Sequence, residues 1–228
     1  MEMQLGKEFP GVYLRGKHNK GLVDRPFYSL KDLSVATGLP IFIGQKDAKI
    51  ILNWGLGGYG DPPVGVKFHL NNHCVTDKLA AARRMRNAEC PTPRAWARKD
   101  QVTYPVLAKP HNSWGGHGIH LLKSAKDIEI GGDVWFQEYI EKEKEYRVYF
   151  FLGRVTLVDE KIPQDRKAVL WNRKYCSRWE LRRDQSLKDE LTAVVGPASK
   201  VLNIDWGAAD VIRDKNGKLW VLEINTRP

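Results

Sequence analysis

The sequence predicts an α+β fold, on three observations. Short runs rich in β-branched and aromatic residues outnumber the helical segments, yet both kinds recur along the 228-residue chain. Two segments, Thr76 to Asn87 and Leu187 to Leu202, carry the composition or apolar spacing of helices. Near the C-terminus, Asn216-Gly217 separates two strand-like runs, and Asn-Gly is the preferred pair for a tight hairpin turn.

Residues 1–25 read as loop with one strand, and Ile41–Ile43 and Ile50–Leu52 as short strands. Between Asn53 and Val66 five glycines and two prolines predict a long loop. Thr76-Asp77 can cap a helix that runs to Asn87, with Pro91 and Pro93 beyond it. Val106–Ala108, Ile119–Leu122, Val134–Ile140, Arg147–Leu152 and Val155–Asp159 read as strands, the last two around Gly153-Arg154. A helix follows over 187–202, then the strands Ala208–Arg213 and Lys218–Ile224.

The chain holds 37 Lys+Arg against 27 Asp+Glu, a formal net charge of +10. Residues 78–99 and residues 161–183 each net +6, so the rest of the chain is slightly acidic. Two local patches suggest a groove for an anion, although a solvated face is the ordinary use of such clusters. The N-terminus lacks an apolar signal segment, and no run reaches the ~18 apolar residues of a membrane span. Three scattered cysteines fit neither a disulfide framework nor a zinc site. A cytoplasmic location is the expectation.

The final segment carries the sharpest signal. With Asn216 and Gly217 as a two-residue turn, opposed pairs sum to 433, and Asp210 faces Glu223. Asn225, two residues on, shares the face of Glu223. Like charges directly opposed on a sheet are destabilising, and a hard divalent cation between them would resolve the conflict. An exposed acidic patch, or one acid paired to a lysine, is the other reading. Upstream, Lys109 ends an apolar strand and precedes Ser113, Gly115, Gly116, His117 and Gly118. Such a loop lets backbone N–H groups approach a phosphate, though a hairpin loop without a ligand has the same composition.

Set in order, these pieces resemble the ATP-grasp superfamily. The motifs are Thr76-Asp77-Lys78 and a helix leading to ECPTPRA, then YPVLAKP, NSWGGHG, FQEYI at 136–140, EYRVYFFLGRV, and DVIRD with LWVLEINTRP. The small RimK-like and D-alanine–D-alanine-ligase-like branches, mostly carboxylate–amine ligases, are similar. The resemblance implies two α+β subdomains gripping a nucleotide, over 72–140 and 141–228. A short N-terminal region, 1–71, would be a reduced version of the usual preceding domain.

Carried over by position, Lys78 and Lys109 would contact the nucleotide phosphates, and the Ser113–Gly118 loop would close over them. Glu138, Tyr139 and Ile140 would form the adenine hinge through their backbone, and Glu145 would bind the ribose. Asp210, Glu223 and Asn225 would hold Mg²⁺ or Mn²⁺. Arg147, Arg173 and Arg227 are candidates for stabilising the transferred phosphoryl group or gripping a carboxylate, with surface ion pairs as the alternative. The implied activity is ATP-dependent amide formation through an acyl phosphate, releasing ADP and phosphate. Its partners would be ATP, a carboxylate and an amine, with an acidic or peptidic substrate suggested by the charge at 161–183. An ATP-grasp kinase acting on a phosphorylated small molecule remains an alternative. So do a nucleic-acid-binding or RNA-modifying protein, which is not favoured, and a non-catalytic ATP-binding module.

Two departures from the family pattern stand out. Ala208 stands where D-alanine–D-alanine-type ligases carry arginine. The chain ends at Pro228, where family members usually continue, so a minimal enzyme or an absent tail is expected.

Overall fold

The computed structural model describes residues 12–16, 41–42, 50–54, 68–111, 116–127, 132–171 and 176–226. The chain divides into two compact units, with the change between Cys74 and Val75. Among the described residues, no helix is long and apolar enough to cross a membrane.

The first unit contains a parallel sheet of β1 (Val12–Gly16), β2 (Ile41–Phe42), β3 (Ile50–Trp54) and β4 (Phe68–Leu70), in the order β2-β1-β3-β4. The glycine-rich loop expected over 53–66 lies outside the described residues beyond Trp54.

Among its described residues, the second unit holds two antiparallel sheets and two α-helices. Helix α1 (Lys78–Asn87) starts at Asp77, whose Oδ1 accepts from the Ala80 N–H at 2.7 Å. A cap of this kind stabilises by about 1 kcal/mol. Leu79, Ala82 and Met85 recur on one face and are buried. Strands β5 (Ala95–Trp96), β6 (Val106–Pro110), β7 (His120–Leu122) and β8 (Val134–Glu138) form a sheet in the order β5-β8-β6-β7. Trp135 packs with Leu79 and Ala82 of α1, while Phe136 joins Val106, Ala108 and Leu122 on the opposite face.

The larger sheet comprises β9 (Lys142–Phe151), β10 (Arg154–Pro163), β11 (Cys176–Arg182), β12 (Trp206–Asp214) and β13 (Leu219–Asn225), in the order β11-β10-β9-β12-β13. Alternation decides its two faces. On β9, Tyr146, Val148 and Phe150 are fully buried, whereas Arg147, Tyr149 and Phe151 retain exposure. Helix α2 (Gln185–Val201) packs against β10 and β13 and buries Leu187, Leu191, Val195 and Ala198 at helical spacing. The strand over 176–182 is an addition to the sequence expectation, in which this segment is described by its charge alone. Its alternation of Arg178, Glu180 and Arg182 with Ser177, Trp179 and Leu181 was the available signal.

The hairpin corrects the sequence reading. The turn has three residues, Lys215 to Gly217: the Gly217 N–H donates to the Asp214 carbonyl at 3.0 Å and the Asp214 N–H to the Lys218 carbonyl at 2.9 Å. Gly217 has φ +83°, but Asn216 is not in the left-handed region, so this is a three-residue loop rather than a type I′ turn. Near the turn Arg213 therefore pairs with Leu219 and Val211 with Val221, one residue off the expected register. A bulge between Val221 and Glu223 absorbs Leu222 and restores the pairing of Asp210 with Glu223.

Candidate active site

The outer face of the large sheet carries a cross-strand row. Asp159 of β10 pairs with Arg147 of β9, Arg147 with Asp210 of β12, and Asp210 with Glu223 of β13. Directly opposed residues project to the same side. Arg147 Nη1 donates to Asp210 Oδ2 at 2.8 Å, and Lys161 Nζ donates to Asp210 Oδ1 at 2.9 Å. Lys161 also reaches Glu145 Oε1 at 2.6 Å, and Lys142 takes the other Glu145 oxygen. Asn225 Nδ2 donates to Glu223 Oε1 at 3.1 Å and stands 3.5 Å from Asp210 Oδ2, while Lys78 lies 3.5 Å from Glu223.

These contacts relieve the repulsion between Asp210 and Glu223. Burial alone would raise the Asp210 pKa, but Lys161 and Arg147 outweigh it and hold the carboxyl below its usual range. For Lys161, burial pulls the other way and is overcome by Asp210 and Glu145, so the ammonium is held charged above its ordinary pKa.

The smaller sheet contributes Lys109. Its Nζ donates to Gln137 Oε1 and lies 5.2 Å from the centre of the Trp135 ring. Burial lowers its pKa to about 8, with the Glu223 charge partly offsetting the effect. Gln137 in turn donates to the carbonyl of Leu222, the bulged residue of β13, at 3.4 Å. Val221 is gripped from the same side, since its N–H donates to the Pro91 carbonyl at 2.7 Å and its carbonyl accepts from Thr92 Oγ1 at 2.9 Å. The two sheets are thus tied together beside the row.

At the end of β8, the Glu138 N–H donates to the Arg94 carbonyl at 2.9 Å and the Tyr139 N–H to the Pro105 carbonyl at 3.2 Å. Neither bond involves Ile140. The Glu138 carboxylate is taken by the guanidinium and N–H of Arg94, which lower its pKa against the effect of burial. Gly116, His117 and Gly118 lie in a turn before β7, and both glycines have positive φ.

Of the residues singled out in the sequence, Lys78, Lys109, Glu145, Arg147, Asp210, Glu223 and Asn225 belong to this cluster. Ser113, Gly115, Arg173 and Arg227 lie outside the described residues. Lys142, Lys161 and Gln137 were missed. Lys161 stood in the basic segment, but its partners are 16 and 49 residues away, so spacing gave no sign of them.

The cluster joins three carboxylates, Glu145, Asp210 and Glu223, to five cationic side chains, Lys78, Lys109, Lys142, Arg147 and Lys161. A net positive site of this kind attracts a polyanion. Two carboxylates and an amide oxygen also supply the hard donors Mg²⁺ takes, so Asp210, Glu223 and Asn225 fit that metal. The fit needs Asn225 to turn its Oδ1 to the side where its Nδ2 now donates. Gly207 of β12 allows the arrangement: a Cβ there would lie 2.4 Å from the Asn225 carbonyl oxygen.

A family model for the ATP-grasp domain matches residues 75–228. The chain belongs to the ATP-grasp family. Among curated ATP-grasp relatives, the D-alanine–D-alanine ligase of Marinomonas sp. (strain MWYL1) is 26% identical over 152 residues, covering 57% of this chain and 45% of that protein. That of Pseudomonas fluorescens (strain Pf0-1) is 26% identical over 177 residues, covering 67% and 53%. The chain spans about half the length of the curated relatives it matches. Among solved structures, the ATP-grasp ligase PsnB complexed with its minimal precursor aligns with a TM-score of 0.67 at 16% identity, covering 96% of this chain and 91% of that one. The D-alanine–D-alanine ligase of Bacillus anthracis aligns with a TM-score of 0.62 at 16% identity, covering 96% and 87%. At these identities the structural likeness bears on the ATP-grasp fold alone.

Proposed function

We propose that the protein is a Mg²⁺-dependent, ADP-forming ligase that joins a carboxylate to an amine through an acyl phosphate. The observation that carries this reading is the convergence of Asp210, Glu223 and Asn225 on one sheet face ringed by five cations. The relatives named as D-alanine–D-alanine ligases support the reaction class.

In this reading Lys78 and Lys109 bind the phosphates of ATP, and the hinge at Glu138 to Ile140 holds the base. Glu145, now occupied by two lysines, exchanges one of them for ribose hydroxyls. Arg147 swings from Asp210 to the phosphoryl group as the substrate carboxylate attacks it, and Arg173 and Arg227 are further candidates for gripping that carboxylate. Mg²⁺, when bound, would neutralise the charge on the phosphate oxygens. No covalent enzyme intermediate is required, because positioning and charge compensation suffice for such transfers. The amine then attacks the acyl carbon, the amide bond forms, and inorganic phosphate leaves.

The test is an ATPase screen with pooled amino acids and short peptides, reading ADP, phosphate and the mass of any new product. ADP and phosphate in equal amounts, together with an amide, are expected. ADP with a phosphorylated product and no free phosphate would overturn the ligase in favour of a kinase.

A further inference from the structure

Two features that disfavour folding lie side by side on the large sheet. The first is Asp159. Its carboxylate is half-buried, and no hydrogen bond or ion pair reaches it among the described residues. A charge taken partly out of water without a partner costs stability. The acids around it are treated differently: Glu145, Glu160, Asp210 and Glu223 each meet a lysine.

The second is a run of exposed apolar side chains. Phe151, Leu157, Trp179 and Leu181 are each 38–47% exposed. The register puts all four on the face that holds the Asp159–Arg147–Asp210–Glu223 row. Tyr149 opposes Leu157, Leu181 opposes Asp159, and Trp179 opposes Lys161. Asp159 therefore has Leu157 beside it on its own strand and Leu181 across from it on β11, an apolar border on the side of the sheet edge, while Arg147 across from it on β9 and Lys161 two residues along both donate to Asp210.

A carboxylate without a partner, bordered by apolar side chains on its open side, is the chemistry that recognises an organic ammonium attached to an apolar group. The group's own apolar surface would cover the leucines, and the water displaced in doing so would strengthen the ion pair. Asp159 stands two strand spacings, about 10 Å, from Asp210. Metal–oxygen contacts of about 2 Å and reacting atoms about 3 Å apart fit within that span.

We propose that Asp159 with Leu157, Trp179 and Leu181 forms the subsite for the amine substrate, which binds as a primary ammonium bearing an apolar side chain. The proposal rests on the ligase reading above. A dimer formed through this face would instead seal the row that contains Arg147 and Asp210.

The full chain is titrated by calorimetry with L-leucinamide, glycinamide and 4-methylpentanamide, and separately with Mg·ATP. Glycinamide lacks the apolar side chain, and 4-methylpentanamide lacks the ammonium. Leucinamide is expected to bind at least about tenfold more tightly than either. Asp159→Asn should weaken leucinamide at least about tenfold while Mg·ATP affinity stays within about twofold. Leu181→Asn, at an exposed position that folding tolerates, should weaken leucinamide at least about threefold. Equal binding of the three probes, or an unchanged leucinamide affinity in Asp159→Asn, would overturn the proposal. So would sedimentation showing a dimer that Leu181→Asn dissociates. Failure of the wild-type chain to bind Mg·ATP would overturn the ligase reading instead, and the leucinamide titration reads the subsite independently.

Discussion

Asp210 and Glu223 face each other across β12 and β13 even though the turn joining those strands is one residue longer than a two-residue hairpin. Leu222 bulges out of β13 and takes up the extra residue. Its carbonyl, freed from the ladder, accepts from Gln137, which also holds Lys109. The bulge thus links the carboxylate pair to Lys109.

Asp210→Asn removes the charge on which Arg147 and Lys161 converge. Affinity for ATP in the presence of Mg²⁺ should fall by about 100-fold, while affinity in EDTA changes by less than about tenfold. Calorimetric titrations with and without metal give both numbers. Equal losses under the two conditions would sink the metal assignment.

Lys161→Ala leaves Asp210 and Glu145 buried with reduced compensation, a change that costs about 3–5 kcal/mol. A lowered midpoint in urea melts measures it. Mg²⁺ should restore part of the loss, since it binds Asp210 in the folded chain only. Lys161→Met should fare better than Ala, because its methylenes refill the volume.

Lys109 has a folded pKa of about 8, below its value in the unfolded chain. Between pH 8 and the ordinary lysine pKa, the unfolded chain holds more protons, so stability without ligand rises with pH in that window. ATP binding has the opposite sign. Phosphate favours the charged ammonium, so binding should take up a proton above pH 8 and weaken as pH rises. Calorimetry in buffers of different ionisation enthalpy reads the uptake directly, and Lys109→Met should abolish it.

Gly207→Ala forces a Cβ against the Asn225 carbonyl, and strain of this kind costs about 1–3 kcal/mol. The expected result is a lower melting temperature together with weaker metal-dependent ATP binding. A variant with normal stability and normal metal response would place Asn225 outside the site.

Arg182 and Arg178 were read in the sequence as part of an unexplained basic segment. Arg182 pairs with Glu160 and Arg178 with Glu180, and Lys161 lies inside the carboxylate cluster. Three of the eight Lys and Arg side chains in 161–183 are therefore spent on local carboxylates. The Arg178–Glu180 pair is exposed and contributes at most about 1 kcal/mol, so Arg178→Ala should melt close to wild type, whereas Arg182→Ala leaves the buried Glu160 carboxylate to Lys144 alone and should melt lower.

What was legible in the sequence followed from contacts between near neighbours. Asp77 announced α1, and a hairpin brought Asp210 to Glu223. The pair forms through a three-residue turn and a bulge instead of a two-residue turn, because alternation fixes which side chains share a face but not where an extra residue is absorbed. Glu138 stood out in the sequence through its motif, yet its side chain belongs to Arg94, 44 positions earlier, which no local spacing announces. Lys161 and Gln137 were hidden for the same reason: their partners meet only when separate strands and sheets come together.

The alternation of β9 and β10 has a consequence for how this scaffold changes over time. Tyr146, Val148 and Val158, locked against the buried side of the sheet, carry the fold. Tyr149, Leu157, Asp159 and Leu181 face outward and bear little of it. Substitution can rewrite the outward positions one at a time, altering the chemistry that face presents, while the inward set keeps the backbone of the same strands in place.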